Sequence, residues 1–395
     1  MFLPLGDEPN PRGVPYVTYA LIAINCAVYL FVTLPLGSVA ADPSNPLLAE
    51  YVRVVAQQLP PNVSLQQVLG SISAYDLVVF GYGFRPVDPQ LLTLVTAMFL
   101  HGGFMHLAGN MLFLWIYGDN VEHRLGAVRY LLWYLATGVA ATLFHAWFSP
   151  SSPLPLVGAS GAISGVLGFY FVWFPHNKVR LFVFLFPIIW NVFLVPARLV
   201  LAMYLVVENL LPFIIVRGAG GVAHGAHIGG FLAGLAAAWV MSRRDRSPRQ
   251  VRVDALETDE AGAPSADLAD LIASGRFAQA ARAYFQLSPD ASRRVLSPGD
   301  TLALGHWLMT NGHARAALAV YQRHLRDYPL GPGIAEAHAG AGLVQLHALG
   351  QPTAAYQHFV DALDHEPTPE TERLIRDALA EIAGRQKFQV RARAR

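Results

Sequence analysis

Long apolar runs without charge alternate with short polar stretches through the first 241 residues; beyond them Arg, Asp and Glu recur every few positions. A bilayer core about 30 Å thick needs about 20 mostly apolar residues as helix. Six stretches meet this pattern, at residues 16–36, 91–117, 128–148, 160–174, 197–216 and 222–241. The apolar stretch 181–195 contains Pro187 and precedes Pro196, so it reads as a re-entrant or interfacial segment and not as a span. The first span follows a Pro-rich, almost uncharged lead without a basic region or small-residue cleavage site, which suits a retained helix better than a signal peptide. The expected fold is therefore all-α. It comprises a six-helix membrane bundle at residues 1–242, a basic juxtamembrane segment and linker at 243–265, and a soluble helical-repeat domain at 266–395.

The repeat expectation comes from the second half. Gly275, Gly312 and Gly350 each precede by five residues an alanine (Ala280, Ala317, Ala355), and an aromatic follows four further on (Tyr284, Tyr321, Phe359). Pro329 and Pro367 close the last two units, and Leu304 and Gly305 supply a small and apolar pair. The pattern resembles tetratricopeptide repeats, in three irregular copies, and implies a surface for a protein partner or for self-association. A small Ala-rich helical bundle is the plainer alternative.

Charge refines this picture. Only 14% of the residues are charged, and 28 Lys and Arg stand against 27 Asp and Glu. No excess or basic run is left to hold nucleic acid. A single cysteine, Cys26, excludes an internal disulfide framework and a Cys-based zinc site within one chain. With the N-terminus inside, one side of the membrane holds Arg12, Arg124, Arg129, Lys178, Arg180, Arg198, Arg243, Arg244, Arg246, Arg249 and Arg252. The other holds Arg53, Arg85 and Arg217. This bias predicts that both termini are cytoplasmic, and residues 243–252 would bind an anionic lipid surface. The long outer loop, about residues 35–90, has room for amphipathic helices of its own.

Polar groups within spans are costly and therefore mark function. Three clusters stand out. His106 and Asn110 share one face of the second span; alone, they also suit interhelical hydrogen bonding. Gly158-Ala159-Ser160-Gly161 opens the fourth span, where Ser160 could be a helix cap but is also flanked by glycines that admit close approach and by the free N–H groups of a helix start. In the sixth span His227, Gly230 and Gly234 form a stripe at i, i+3 and i+7, matched by Ser160, Ser164 and Gly168 on the fourth. The second, fourth and sixth spans all start from the outer face, so His106, Ser160 and His227 can occupy one depth. A serine, a histidine to accept its proton, and Asn, His and backbone N–H donors are the parts needed for acyl transfer.

With these residues the sequence resembles the rhomboid family of intramembrane serine proteases over about residues 15–241. The resemblance rests on His106-x-x-x-Asn110, Gly118-x-x-x-Glu122-x-x-x-Gly126, Gly158-Ala159-Ser160-Gly161 and Ala226-His227-Ile228-Gly229-Gly230. It implies a Ser160–His227 dyad without a third acid, cleavage of transmembrane segments, and no cofactor. An oxyanion site is implied from His106, Asn110 and backbone N–H groups around Ser160, including Gly158 and Ala159. Glu122 and Gly126 would anchor a loop. The implied setting is an integral membrane protein of a bacterial inner membrane. Two positions depart from the family pattern: Ser164 stands where many rhomboids have a tyrosine against the catalytic imidazole, and residues 35–90 contain no tryptophan. A pseudoprotease of the same fold is the first alternative. An aspartyl protease would need a second membrane aspartate beside Asp119, a zinc protease would need H-E-x-x-H, and a transporter would show internal repeats.

Overall fold

A computed structural model describes residues 2–11, 13–57, 69–185, 189–216, 223–245, 268–287 and 293–384. The chain divides into two compact units. The first comprises residues 1–5, 13–175 and 181–239; the second comprises 6–12, 176–180 and 240–395. Most of the expected linker, residues 246–265, lies outside the described residues.

The first unit begins its helices with α1 (Tyr16–Gly37), uncharged throughout and carrying one π turn at Tyr29–Thr33. The orphan N–H groups of its first turn have a built partner. The Glu122 carboxylate accepts from Val17 N at 2.9 Å, Thr18 N at 2.8 Å and Thr18 Oγ at 2.8 Å. A carboxylate at a helix start satisfies orphan donors and complements the helix dipole. Between residues 35 and 90 stand two helices, α2 (Pro46–Ala56), capped by Asn45, and α3 (Ala74–Tyr82), opened by a Ser73/Asp76 capping box. Arg85, after α3, ties the loop together by reaching Glu50 at 2.5 Å and Asp88 at 2.7 Å.

The stretch expected as one span at 91–117 is two helices, α4 (Thr93–Phe99) and α5 (Phe104–Leu125), bent by 95° at the intervening His101-Gly102-Gly103. Beyond α6 (Ala127–Phe148), the segment expected at 160–174 is the short helix α7 (Ser160–Trp173). Helices α8 (Ala197–Ile215) and α9 (His224–Asp245) complete the set. Among the described residues, four helices are long and apolar enough to cross a bilayer, and the bent pair makes a fifth. With 14 residues, α7 is about 21 Å long, short of a full hydrocarbon core.

One expectation is corrected. The stretch 181–195, expected as a re-entrant or interfacial segment of an all-α fold, holds strands β2 (Lys178–Leu185) and β3 (Ile189–Pro196), with residues 186–188 outside the described ones, and these strands join β1 (Phe2–Glu8) in a sheet of order β1-β2-β3. The architecture is thus mainly helical and not purely α. These runs are rich in Val, Ile and aromatic residues, which favour the pleated, half-buried surface of a sheet.

Where α7 meets α9, glycines set the spacing. A Cβ on Gly230 would lie 2.0 Å from the Gly161 carbonyl oxygen, one on Gly234 1.9 Å from that of Gly165, and one on Gly168 2.3 Å from that of Phe231. The helices therefore pack backbone to backbone. Of the expected face Ser160, Ser164 and Gly168, Gly168 lies in this contact, while Gly161 and Gly165 stand in it one position beyond the two serines.

The second unit consists of helix pairs. α10 (Leu268–Ala273) pairs with α11 (Phe277–Gln286), and α12 (Pro298–Thr310) with α13 (Ala314–Asp327). α14 (Ile334–Leu343), extended by a π turn to Ala348, pairs with α15 (Pro352–Leu363), and α16 (Pro369–Ala383) packs at the end. The turns within the pairs hold Gly275, Gly312 and Gly350 at φ of 73°, 83° and 64°, a left-handed conformation that glycine adopts without strain. Ala280, Ala317 and Ala355 are fully buried, as are Tyr284, Tyr321 and Phe359. The unit also incorporates two distant stretches of chain. Gln357 on α15 accepts from His176 N at 3.0 Å and donates to Asn177 Oδ1 at 2.8 Å. Asn177 in turn donates to Asp7 Oδ2 and to Pro9 O, both at 3.4 Å, and Arg180 pairs with Glu8.

Candidate active site

Ser160 is the first residue of α7, and the chain ahead of it is pinned at two points. Leu156 exchanges backbone hydrogen bonds with Phe84 at 2.8 and 3.0 Å, and the Gly158 N–H donates to Ala97 O at 2.8 Å. Gly158 has φ +120°, and a Cβ there would lie 2.7 Å from the His106 ring. Only glycine satisfies both constraints. Ala159 is fully buried and Ser160 half-buried.

His227 lies on the first turn of α9, and its Nε2 is 2.8 Å from Ser160 Oγ. Its other ring nitrogen, Nδ1, is 2.6 Å from Asn209 Oδ1. Asn209 sits in the π segment Val206–Leu210 of α8, is 1% exposed, and donates through Nδ2 to Tyr204 O at 2.8 Å. That donation fixes the amide with its oxygen toward the imidazole. Nδ1 must then carry the proton and Nε2 the free lone pair, so the ring accepts from the serine hydroxyl. His224, a turn earlier, approaches Asn209 Oδ1 only at 3.5 Å.

Ser164 is not vacant ground. Its hydroxyl donates to Ser160 O at 2.8 Å and accepts from Tyr204 OH at 2.8 Å. The Tyr204 ring lies 6.2 Å from that of His227, inclined by 32°. A tyrosine thus faces the imidazole from α8, with Ser164 as its anchor.

Asn110 and His106, on consecutive turns of α5, lie on the other side of Gly158. The Asn110 side chain is buried, and its Nδ2 has no hydrogen-bond partner among the described residues. An ideal Cβ on Gly158 would be 3.7 Å from it. His106 is exposed, its ring 5.2 Å from that of His101. The structure therefore gathers Ser160, His227, His106 and Asn110 around Gly158 and Ala159. Of the expected backbone donors, the Gly158 N–H is occupied by Ala97, which leaves those at the α7 start. Asn209 and Tyr204 were missed by the sequence reading. The signal was a buried asparagine inside an apolar run, by the same reasoning that singled out Asn110.

A helical bundle with this serine and histidine is matched by the Rhomboid domain model over residues 88–244. Rhomboid protein 1, mitochondrial, of Saccharomyces cerevisiae is 34% identical over 169 residues, covering 42% of this chain and 46% of that protein. Rhomboid protease GluP of Bacillus subtilis is 43% identical over 101 residues, covering 25% and 19% respectively. RHOMBOID-like protein 4 of Arabidopsis thaliana is 30% identical over 183 residues, covering 46% and 40%. The chain spans less than half the length of each of these relatives. Over residues 88–244 the chain is similar to the rhomboid family. Relatives from a bacterium, a yeast and a plant share the match, so it does not single out a bacterial inner membrane.

Proposed function

We propose that the chain is an intramembrane serine endopeptidase that cleaves transmembrane segments of other proteins. The observation that carries this reading is the 2.8 Å contact between Ser160 Oγ and His227 Nε2, with Nδ1 held by Asn209. Ser160 Oγ attacks the scissile carbonyl carbon as its proton passes to His227 Nε2. The negative charge on the carbonyl oxygen is met by Asn110 Nδ2, His106 and N–H groups at the α7 start. The imidazolium returns the proton to the departing amine, leaving an acyl ester on Ser160. Water, deprotonated by the same histidine, then hydrolyses that ester. Asn209 keeps the ring in the tautomer that accepts from serine, and being neutral it holds the imidazolium by a hydrogen bond and not by charge.

The shortness of α7 supports a site within the bilayer. If its end lies at the inner face, its start lies about 9 Å beneath the outer one. We assign six spans from the apolar pattern, the short α7 among them, and cytoplasmic termini from the Lys and Arg bias. The second unit is read as a tetratricopeptide-like domain for protein partners or self-association, supported by its paired helices and by the way Gln357 grips residues 176–177.

Purified wild type and Ser160→Ala protein, each incubated with a panel of single-span membrane proteins, test the reading. Cleavage by the wild type alone is expected, together with covalent labelling of Ser160 by a fluorophosphonate. Because members of a catalytic unit act together, Ser160→Ala/His227→Ala should be no slower than either single variant. Asn110→Ala should lower kcat about a hundredfold with KM little changed. Cleavage undiminished in Ser160→Ala would remove the protease reading.

A further inference from the structure

The second unit carries a histidine cluster that neither its helix packing nor the proteolytic chemistry requires. His338 on α14 and His358 on α15 bring their Nδ1 atoms to 3.0 Å. Asp361 Oδ2, one turn further along α15, lies 3.8 Å from His338 Nδ1, and the three ligating atoms all fall within 4.8 Å of one another. In a tetrahedral zinc site with Zn–N bonds of about 2.0–2.1 Å, neighbouring ligand atoms stand about 3.3 Å apart. The spacing here brackets that value.

We propose that His338, His358 and Asp361 bind a divalent transition-metal ion through His338 Nδ1, His358 Nδ1 and Asp361 Oδ2. Two imidazoles with one carboxylate favour zinc and its neighbours over magnesium or calcium, which prefer oxygen ligands. Three protein ligands leave a position for water. The carboxylate is already oriented: His176 Nε2 lies 2.9 Å from Asp361 Oδ1, which directs the other oxygen to the cluster. Outer partners of this kind align ligands before a metal arrives. His365 completes the surroundings, its ring stacked on that of His338 at 6.0 Å and 15°. On α15 the ligands recur at i and i+3, so one helical face presents both. The cluster is half-buried, with 14% of the His338 side chain and 36% of the Asp361 side chain exposed, which leaves a path for the ion.

The test uses the full chain in detergent, stripped with a chelator and titrated with zinc against a chromophoric indicator. One zinc per chain is expected. His358→Gln and Asp361→Asn should each weaken that binding at least a hundredfold, and His176→Ala about tenfold as the loss of an outer partner. His224→Ala/His227→Ala should keep it, which separates this site from the histidines beside Ser160. Cobalt(II) in place of zinc should give an absorption spectrum that disappears in His338→Gln. Hydrogen exchange across α14 and α15, measured without metal, checks that each variant is folded. Absence of stoichiometric zinc in the wild type, or unchanged affinity in folded His358→Gln and Asp361→Asn, would overturn the proposal. Loss of binding only in His224→Ala/His227→Ala would equally overturn it.

Discussion

Both units place glycines at helix contacts, but for opposite physical reasons. Where α7 meets α9, a glycine faces the backbone of the opposite helix: Gly234 has room for no Cβ because the Gly165 carbonyl occupies it. In the second unit the glycines face aromatic rings. A Cβ on Gly305 would meet Tyr321 Cε1 at 2.7 Å, one on Gly340 would meet Tyr321 Cζ at 2.4 Å, and one on Gly342 would meet Phe359 Cε1 at 2.6 Å. In lipid, moving an apolar side chain between helices gains little, since the tails are as apolar as the interior. Close backbone approach and dispersion are left to hold the pair. In water, burying a ring is the main source of stability, and glycine creates the slot that receives it.

The contrast predicts different responses to substitution. Tyr321→Ala should have the largest effect, destabilising the second unit by about 4 kcal/mol, because a large buried ring is lost and a cavity remains. Hydrogen exchange on the full chain should show faster opening of α12, α13 and α14, with fluorophosphonate labelling of Ser160 unchanged. Labelling that falls with the exchange protection would mean that the two units do not keep separate stabilities. Gly234→Ala should cost about 3 kcal/mol, since an added methyl meets backbone that cannot swing aside. Here the expected loss is in Ser160 labelling, because α7 and α9 carry the serine and the histidine. A labelling rate equal to wild type would show that the helix pair absorbs the methyl elsewhere.

The sequence exposed these features unequally. Ser160 and His227, which the structure brings to 2.8 Å, stand out in the sequence together with His106 and Asn110 because polar residues and glycines are conspicuous in apolar helices. The repeat glycines were legible because a left-handed turn demands them at fixed spacing. Less visible was the bend at residues 100–103: composition marks an apolar run without saying whether its axis is straight. The strands β2 and β3 were misread because a short apolar run bears no period that separates a sheet from an interfacial segment. The backbone-to-backbone face of α7 keeps the expected Gly168 but takes Gly161 and Gly165 in place of the two serines. Near its start, Ser160 and Gly161 are adjacent and both meet α9, the serine through its hydroxyl at His227 and the glycine through its backbone at Gly230, and only the packed helices show which of them sets the spacing. Asn209 escaped because its partner lies eighteen residues on, in another helix.

That asparagine gives the next test of how a polar group is held in the membrane unit. Asn209→Ala removes the acceptor of the His227 Nδ1–H, a hydrogen bond of about 1.5 kcal/mol, so kcat should fall about tenfold. KM should stay near its wild-type value, since Asn209 faces the imidazole and not the substrate. Asn209→Asp tests the role further, because it preserves an oxygen acceptor and should retain more activity than alanine. An Asn209→Ala enzyme with unchanged kcat would reduce the asparagine to packing.

The smallest effect concerns a buried histidine in the second unit. His324 on α13 is 1% exposed, with its ring 5.1 Å from that of Tyr328. Burial holds its pKa below the usual value of 6.5, against the weaker opposing pull of the Pro332 backbone, Asp327 and Glu336. A histidine kept neutral by the fold binds fewer protons there than in the unfolded chain at the same pH. The stability it allows is therefore complete above the unfolded pKa of about 6.5 and declines as pH falls toward the lower folded value, by at most about 1.4 kcal/mol per pH unit. His324→Leu removes this titration while keeping an apolar side chain at the site. Hydrogen-exchange protection of α12 and α13, corrected for the intrinsic pH dependence of exchange, should decline between pH 7 and pH 5.5 in the wild type and decline less in His324→Leu. Equal declines in the two proteins would assign the acid sensitivity of these helices to other groups and leave His324 as packing alone.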